Sequence, residues 1–185
     1  MKKGSIIFLV IIGIIVLLAV YAIGLRNNII TMDESAESSF KNISVQLERR
    51  ADLIPNLVET VKGYAAHESA IFTEVAEARS RLLAARGPAE MAEAHGALNS
   101  ALGRLLAIGE NYPQLKADTS FVRLQDELAG TENRIAVARK KYNDTVKEYN
   151  TATRKFPASL FGFEQRDYYE PPAGKDVTNV PQVKF

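Results

Sequence analysis

Cysteine and tryptophan are absent from the 185 residues, and the only histidines are His67 and His95. Without cysteine the chain can form no disulfide bond and offers no thiolate for catalysis or metal binding. Neither histidine follows a glutamate by three residues, as di-iron helical bundles require, and His67 does not begin a His-Glu-x-x-His zinc motif. Glycine-rich nucleotide-binding loops and the Gly-x-Ser-x-Gly elbow of hydrolases are missing as well. The sequence therefore predicts no catalytic residue, no cofactor and no metal.

Blocks of basic residues are also lacking. The chain has 23 Lys and Arg residues against 22 Asp and Glu residues. Lys2, Lys3 and Arg26 flank the first apolar run, which leaves 20 of the 23 basic residues to face all 22 acidic ones. A nucleic-acid-binding surface needs a concentration of positive charge to neutralise phosphates. We therefore expect no nucleic-acid partner.

An unbroken apolar run extends from Ile6 to Ile23. At 1.5 Å per residue a helix of this run is about 27 Å long, enough to cross the hydrocarbon core of a bilayer. Tyr21 lies where an interfacial aromatic residue belongs. The alternative is a cleaved signal peptide, because Val20-Tyr21-Ala22 resembles a cleavage site. The length of the run favours a membrane anchor at residues 1–29, with the lipid bilayer contacted by residues 6–23.

The charges around this run favour one orientation. Lys2, Lys3 and the amino terminus precede it, whereas only Arg26 follows it before Lys41. Positive charge near a membrane span tends to stay in the cytoplasm. We expect the N-terminus to be cytoplasmic and the rest of the chain to be extracytoplasmic.

The remainder of the chain has the seven-residue spacing of packed helices. From Phe121 to Phe156 every seventh residue is large and apolar, and a neighbouring row is small, as in close-packed helices. Similar rows run from Asp33 to about Arg86 and pass through Pro55 without a shift, which predicts one kinked helix. Gly87-Pro88 predicts a break, and residues 89–109 predict another helix.

These patterns predict an all-α fold. After the transmembrane helix we expect an elongated antiparallel bundle of three to four long helices over residues 30–157. Asp118 or Thr119 can cap the last of these helices. Glycine and proline then replace the periodic pattern, so residues 158–185 are expected to form an extended or disordered tail.

Several polar residues interrupt the apolar rows. Arg50 and Glu68 fall at core positions of the first predicted helix, and Glu132, Asn133 and Arg139 lie in or beside the row of the last. A buried charge is costly unless it is paired, so these residues are expected to meet across helices. The favoured interpretation is a polar layer that fixes helix register. The alternative is a ligand or proton site inside the bundle.

The apolar row of the first helix exceeds the helix available to cover it. Residues 89–109 form a helix of only about 30 Å. Unless a helix folds back further than the pattern indicates, part of the row stays uncovered, and uncovered apolar rows usually mark interfaces. We therefore expect a homo-oligomer whose interface comprises Ile43, Leu47, Ile54, Leu57 and Val61.

Short motifs follow one another in order from Gln46 to Pro157. The most specific is the run RRADLIPNLVETVKGYA, which begins at Arg49. The others are Gln46-Leu47, His67-Glu68, Asn111-Tyr112-Pro113, Leu124-Gln125, Thr131-Glu132-Asn133-Arg134-Ile135, Tyr142-Asn143 and Phe156-Pro157. Together they resemble the signature of the LemA family.

The resemblance implies a bacterial, membrane-anchored, antiparallel helical bundle without an assigned activity. Some members of that family carry a lipoprotein signal in place of the anchor, which places their helical domain outside the cytoplasm. This chain lacks the lipobox cysteine. A relative takes part in building magnetosome membranes, which suggests a role in membrane organisation.

We therefore expect a non-enzymatic, single-pass scaffold or adaptor in the cytoplasmic membrane of a bacterial envelope, whose protein partner the sequence does not identify. The alternative is a small-molecule sensor or enzyme that uses the polar layer. A solvent-filled pocket at that layer would favour the alternative, and a dry, paired layer would favour the scaffold.

Overall fold

The apolar and amphipathic runs form helices throughout the part of the chain that the computed structural model describes, residues 3–170. No β-strand occurs within that range, so the predicted all-α class is confirmed. The expectations for residues 171–185 lie outside the described residues. The helices are α1 (Lys3–Lys62), α2 (Ser69–Ala84), α3 (Gly87–Asn111), α4 (Pro113–Lys116) and α5 (Thr119–Arg154), followed by a 3₁₀ helix (Ala158–Phe161).

The described chain divides into two compact units. Residues 3–38 and 144–166 form one, here called the N-terminal unit, and residues 39–143 and 167–170 belong to the other, the bundle unit. Each unit therefore draws on both α1 and α5.

In the bundle unit, α2 runs back along α1. Near the end of α1 the Lys62 ammonium lies 5.7 Å from the centre of the Phe72 ring. Further along α2, the Arg79 Nε donates a hydrogen bond to the carbonyl oxygen of Ala51. The order of these contacts makes the two helices antiparallel. The prediction of one kinked helix reaching Arg86 is therefore wrong, because α1 ends at Lys62 and residues 63–68 reverse the chain.

The helix α3 then runs parallel to α1. Met91 accepts a hydrogen bond from the Ser44 hydroxyl, and eight residues later Asn99 accepts one from Arg50. The break predicted at Gly87-Pro88 is confirmed, because α3 begins at Gly87, which adopts a positive φ of 75°, and Pro88 lies in its first turn. Glycine has no β-carbon to oppose that conformation.

The helix α5 is antiparallel to α1. At its start Asp118 accepts a hydrogen bond from the Tyr64 hydroxyl, and further on the rings of Tyr142 and Phe40 lie 5.5 Å apart. The predicted cap is also present, since the Asp118 carboxylate accepts the backbone N–H of Phe121 at 2.9 Å. The bundle unit thus consists of segments of α1, α2, α3 and α5, in which α2 and α5 are antiparallel to α1 and α3 is parallel to it.

The row predicted along α5 is buried from Phe121 to Tyr149 but ends there. Phe156, expected to continue it, is 81% exposed, because α5 ends at Arg154 and the chain turns away. In the bundle unit, Tyr142 of this row and the adjacent Asn143 also hold residues 167–169 in place. The Tyr142 hydroxyl donates to the Asp167 carbonyl at 2.7 Å, and the Asn143 amide bonds both the N–H and the C=O of Tyr169.

The N-terminal unit has the same arrangement one heptad later. The Tyr149 hydroxyl donates to the Glu164 carbonyl at 2.9 Å, and the Asn150 amide bonds both the N–H and the C=O of Arg166. A small apolar cluster of Ile29, Tyr149 and Ala158 lies beneath, with Leu25, Met32 and Phe163 packed against it. The Arg166 guanidinium pairs with Asp33 and Glu37, which are one turn apart on α1.

Candidate functional site

Among the side chains of α1 that the structure describes, Arg50 is the charged one that reaches the core. Its neighbours in the same row, Ile43 and Leu57, are fully buried. Its Nη1 lies 2.8 Å from the Glu132 carboxylate on α5 and donates to the Leu128 carbonyl at 3.0 Å. A guanidinium presents several donors in a fixed plane, so it can bind several acceptors at once. The side chain therefore ties α1 directly to α5.

The helix α3 adds two more polar side chains to this cluster. The Asn99 amide oxygen accepts from the Arg50 Nη2 at 2.9 Å. The His95 Nε2 lies 3.1 Å from the Glu132 carboxylate and 3.3 Å from the Asn99 amide nitrogen. A ring nitrogen carries either a proton or a free lone pair, so Nε2 satisfies one of these two partners at a time.

The electrostatics favour a charged pair within this cluster. The hydrogen bond from His95 is the largest effect lowering the pKa of Glu132, and the nearby charges of His95 and Arg50 act in the same direction against desolvation. Burial lowers the pKa of Arg50, and the Glu132 charge opposes that shift. An arginine remains protonated in either case. The buried cation is thus balanced by a carboxylate.

The other predicted polar residues lie elsewhere. Glu68 is half-buried in the turn before α2, Asn133 is exposed, and Arg139 is half-buried on α5. The structure therefore brings together Arg50 and Glu132 and adds His95 and Asn99, which the sequence analysis did not place in the layer. The sequence signal that could have found them is spacing. His95 lies three residues before the buried Leu98 and four before Asn99, which places all three on one face of a helix.

The row expected to form an oligomer interface is covered within the chain. The side chains that were assigned to it are at most 3% exposed: Ile43, Leu47, Ile54, Leu57 and Val61. The expectation of an uncovered stripe was wrong because it treated residues 69–84 as a continuation of the first helix. That segment is α2, and it supplies the missing cover.

The cluster can hold α1, α3 and α5 in register. In the described part of the chain, no group of three or more His, Asp and Glu side chains is placed to hold a metal ion. The distances instead connect three helices through one cation.

The LemA family model matches residues 39–185, a range that contains all four residues of the cluster. The chain belongs to the LemA family. Within this LemA protein the matched range covers the bundle unit and begins after the apolar run.

Two relatives are magnetosome proteins. Magnetosome protein MamQ of Magnetospirillum gryphiswaldense is 30% identical over an alignment that covers 85% of this chain and 69% of the relative. Magnetosome protein MamQ 2 of Paramagnetospirillum magneticum is 28% identical with the same coverage. Together with the N-terminal apolar helix, which is long and apolar enough to cross a membrane, these likenesses indicate a membrane-associated protein.

Proposed function

We propose that this LemA protein is a non-enzymatic, single-pass scaffold or adaptor of the bacterial envelope, acting in membrane organisation. The observation that carries the proposal is the contrast along α1. No residue of the most apolar stretch, at the N-terminal end of α1, is buried in the protein. The later row from Ile43 to Val61 is covered by other helices. A helix that is apolar on every side needs lipid as its solvent.

The interior of the bundle supports a scaffold. Its charged residue, Arg50, is engaged by Glu132, Asn99 and a backbone carbonyl, and these contacts hold three helices in one register. A buried polar group that specifies register is a known structural use of such residues. The similarity to magnetosome proteins supports membrane organisation as the process.

The proposed orientation places the N-terminus in the cytoplasm and the residues after Arg26 outside it. Single cysteines at Ser5 and Ser38 can test this, since the chain has no cysteine of its own. In intact spheroplasts a membrane-impermeant maleimide should label Ser38→Cys, and it should label Ser5→Cys only after lysis. The opposite pattern would reverse the orientation, and labelling of both before lysis would contradict a membrane span.

A scaffold should contact a partner through its exposed surface. Val45 on α1 and Val137 on α5 are large apolar residues with more than half of their surface exposed. A photo-crosslinking amino acid at each position should give discrete products of higher mass in intact membranes. The same group in place of the buried Leu98 serves as the control and should give none. If neither exposed position forms a product, the scaffold proposal fails for this surface.

One observation favours the sensor alternative. The Gln46 Oε1 and the Arg50 Nε, one helical turn apart, are buried without a hydrogen-bond partner among the described residues. A small polar ligand could satisfy an acceptor and a donor so placed. Native mass spectrometry of the full-length protein would then detect a bound small molecule that Arg50→Met loses. If both proteins showed only the mass of the polypeptide, with no bound molecule, the scaffold would remain as the function.

A further inference from the structure

The segment that follows α5 exposes a group of large apolar side chains. Phe156 and Leu160 are 81% and 75% exposed, and Phe161 is also exposed, although Ala158 between them is buried. Leu160 and Phe161 belong to the 3₁₀ helix Ala158–Phe161 and Phe156 precedes it by two residues, while the buried Ala158 fixes the segment to the unit. Three neighbouring apolar side chains left outside the core indicate a contact surface.

The position of this segment identifies the surface it faces. Ala158 packs with Ile29 of α1, and Leu25 packs against the same cluster. A groove of about 680 Å³ beside the segment is lined by Tyr21, Leu25, Phe156 and Ala158, among others. Tyr21 lies within the apolar run and Leu25 lies two residues after its end, a rise of about 3 Å. The segment therefore lies beside the end of the apolar run.

The chemistry of the segment fits the boundary between headgroups and acyl chains. Aromatic side chains prefer that boundary, and lysines beside it can extend their ammonium groups toward water. Lys147 and Lys155 line the groove, but Asp144 and Glu148 line it too. Since these charges balance, apolar contact rather than attraction to anionic lipid should dominate.

We propose that the segment Phe156–Phe161 is a second membrane contact, which inserts Phe156, Leu160 and Phe161 into the bilayer that α1 crosses. The inference rests on the proposed membrane anchor. The surface is continuous with the anchor, because Tyr21 and Leu25 line the same groove as Phe156. An interfacial segment of this kind buries its apolar face about 5–10 Å into the headgroup and acyl boundary.

Tryptophan fluorescence can test this directly, since the chain contains no tryptophan. Full-length Phe156→Trp and Leu160→Trp are reconstituted in neutral phosphatidylcholine vesicles whose acyl chains carry bromine, a quencher, near either end. Leu17→Trp, in the middle of the apolar run, reports on the anchor. Ser38→Trp is the water-exposed control, because Ser38 is exposed and lies about 22 Å along α1 beyond Ile23.

Both segment reporters should show blue-shifted emission, and bromine near the headgroup end should quench them more strongly than bromine near the methyl end. Leu17→Trp should show the opposite depth preference, and Ser38→Trp should not be quenched. If Leu17→Trp is quenched but both segment reporters are not, this inference fails while the anchor stands. If Leu17→Trp is not quenched either, the anchor itself fails. Blue-shifted but unquenched segment reporters would indicate protein cover and would also overturn the proposal.

Discussion

The Arg79 Nε on α2 donates a hydrogen bond to the carbonyl oxygen of Ala51 on α1 at a distance of 2.8 Å. In a regular helix that carbonyl would accept the backbone N–H of the residue four positions later, which here is Pro55. Proline has no N–H to donate. The arginine therefore supplies the donor that the proline lacks, and the α-helix continues through Pro55 to Lys62.

Loss of this donor should destabilise the bundle only while the proline is present. Arg79→Ala leaves the carbonyl of the buried Ala51 without a partner, which should cost about 1–3 kcal/mol. In the Pro55→Ala background the backbone N–H of residue 55 can donate to the Ala51 carbonyl in place of Arg79. There, Arg79→Ala should cost less than about 0.5 kcal/mol. The free energy of unfolding of the full-length proteins in detergent, followed by helical circular dichroism, gives both values. Arg81→Ala, an exposed change on α2, is the control, and equal costs in both backgrounds would contradict the compensation.

The pair in the polar cluster should respond asymmetrically to substitution. Arg50 is buried, whereas the side chain of Glu132 is 41% exposed and can be hydrated when its partner is lost. Glu132→Ala strands a buried cation and should cost about 3 kcal/mol, while Arg50→Met, of similar volume, should cost about 1 kcal/mol. Chemical denaturation checks the order, and Asp126→Ala on the exposed surface of α5 should change the stability by less than about 0.5 kcal/mol. A larger loss for Arg50→Met would mean that the arginine is not the costlier group to strand.

Acid should weaken the fold through Glu132. Its folded-state pKa is lowered, chiefly by the hydrogen bond from His95, relative to an unfolded value of about 4.3. A lowered pKa gives a contribution that is fully present above the unfolded value and is lost as the pH falls through the folded value. Unfolding free energies measured between neutral pH and strongly acidic pH should therefore fall more steeply for the natural protein than for Glu132→Gln. Parallel curves would show that this carboxylate does not contribute to acid sensitivity.

Two glycines of α3 should respond in opposite directions to the same change. A β-carbon at Gly109 would lie 2.9 Å from the buried ring of Phe121, whereas one at Gly103 would meet nothing within 4 Å. Gly103→Ala should stabilise the protein by about 0.5–1 kcal/mol through helix propensity. Gly109→Ala gains the same propensity but overpacks the core at a cost of about 1–3 kcal/mol, so its net effect should be a loss. A stabilised Gly109→Ala protein would show that the ring moves freely.

The sequence predicted the helical class and most of the apolar rows, because periodicity records which side chains are buried. It missed the reversal after Lys62 for the same reason. Val61 and Val75 face one core from two different helices, so the seven-residue count continues while the chain changes direction. Periodicity is insensitive to direction. The signal that could have revealed the reversal is Lys62 followed by Gly63, a basic residue and a glycine of the kind that end helices.

The polar cluster was predictable only in part. A charge in an apolar row needs a partner, and this identified Arg50 from the sequence alone. Which residues would meet it depended on the register between helices, which no single stripe determines. Glu68 was expected at a core position of the first helix, but the reversal places Glu68 in the turn before α2. His95 and Asn99 entered from α3, whose orientation followed from that same reversal.

Asn150 on α5 bonds the segment that follows the 3₁₀ helix. It should therefore control how fast the backbone amides of that segment exchange hydrogen with solvent. Asn150→Ala removes two bonds to Arg166, each contributing about 1 kcal/mol. Hydrogen exchange of the Arg166 amide should therefore become roughly tenfold faster or more. Asn133→Ala, an exposed asparagine on the same helix, is the control and should leave that exchange unchanged. Equal protection in both variants would place the restraint elsewhere.

The two Tyr-Asn pairs on α5 recognise the main chain of residues 164–169. Their acceptors and donors are peptide groups, which every residue except proline presents in the same form. Such contacts are indifferent to side-chain identity at Glu164 and Asp167, so those positions can vary in sequence without losing the bonds. At these four bonds the position of the segment is encoded by the helix, in a dipeptide repeated at an interval of one heptad, and not by the side chains of Glu164 and Asp167.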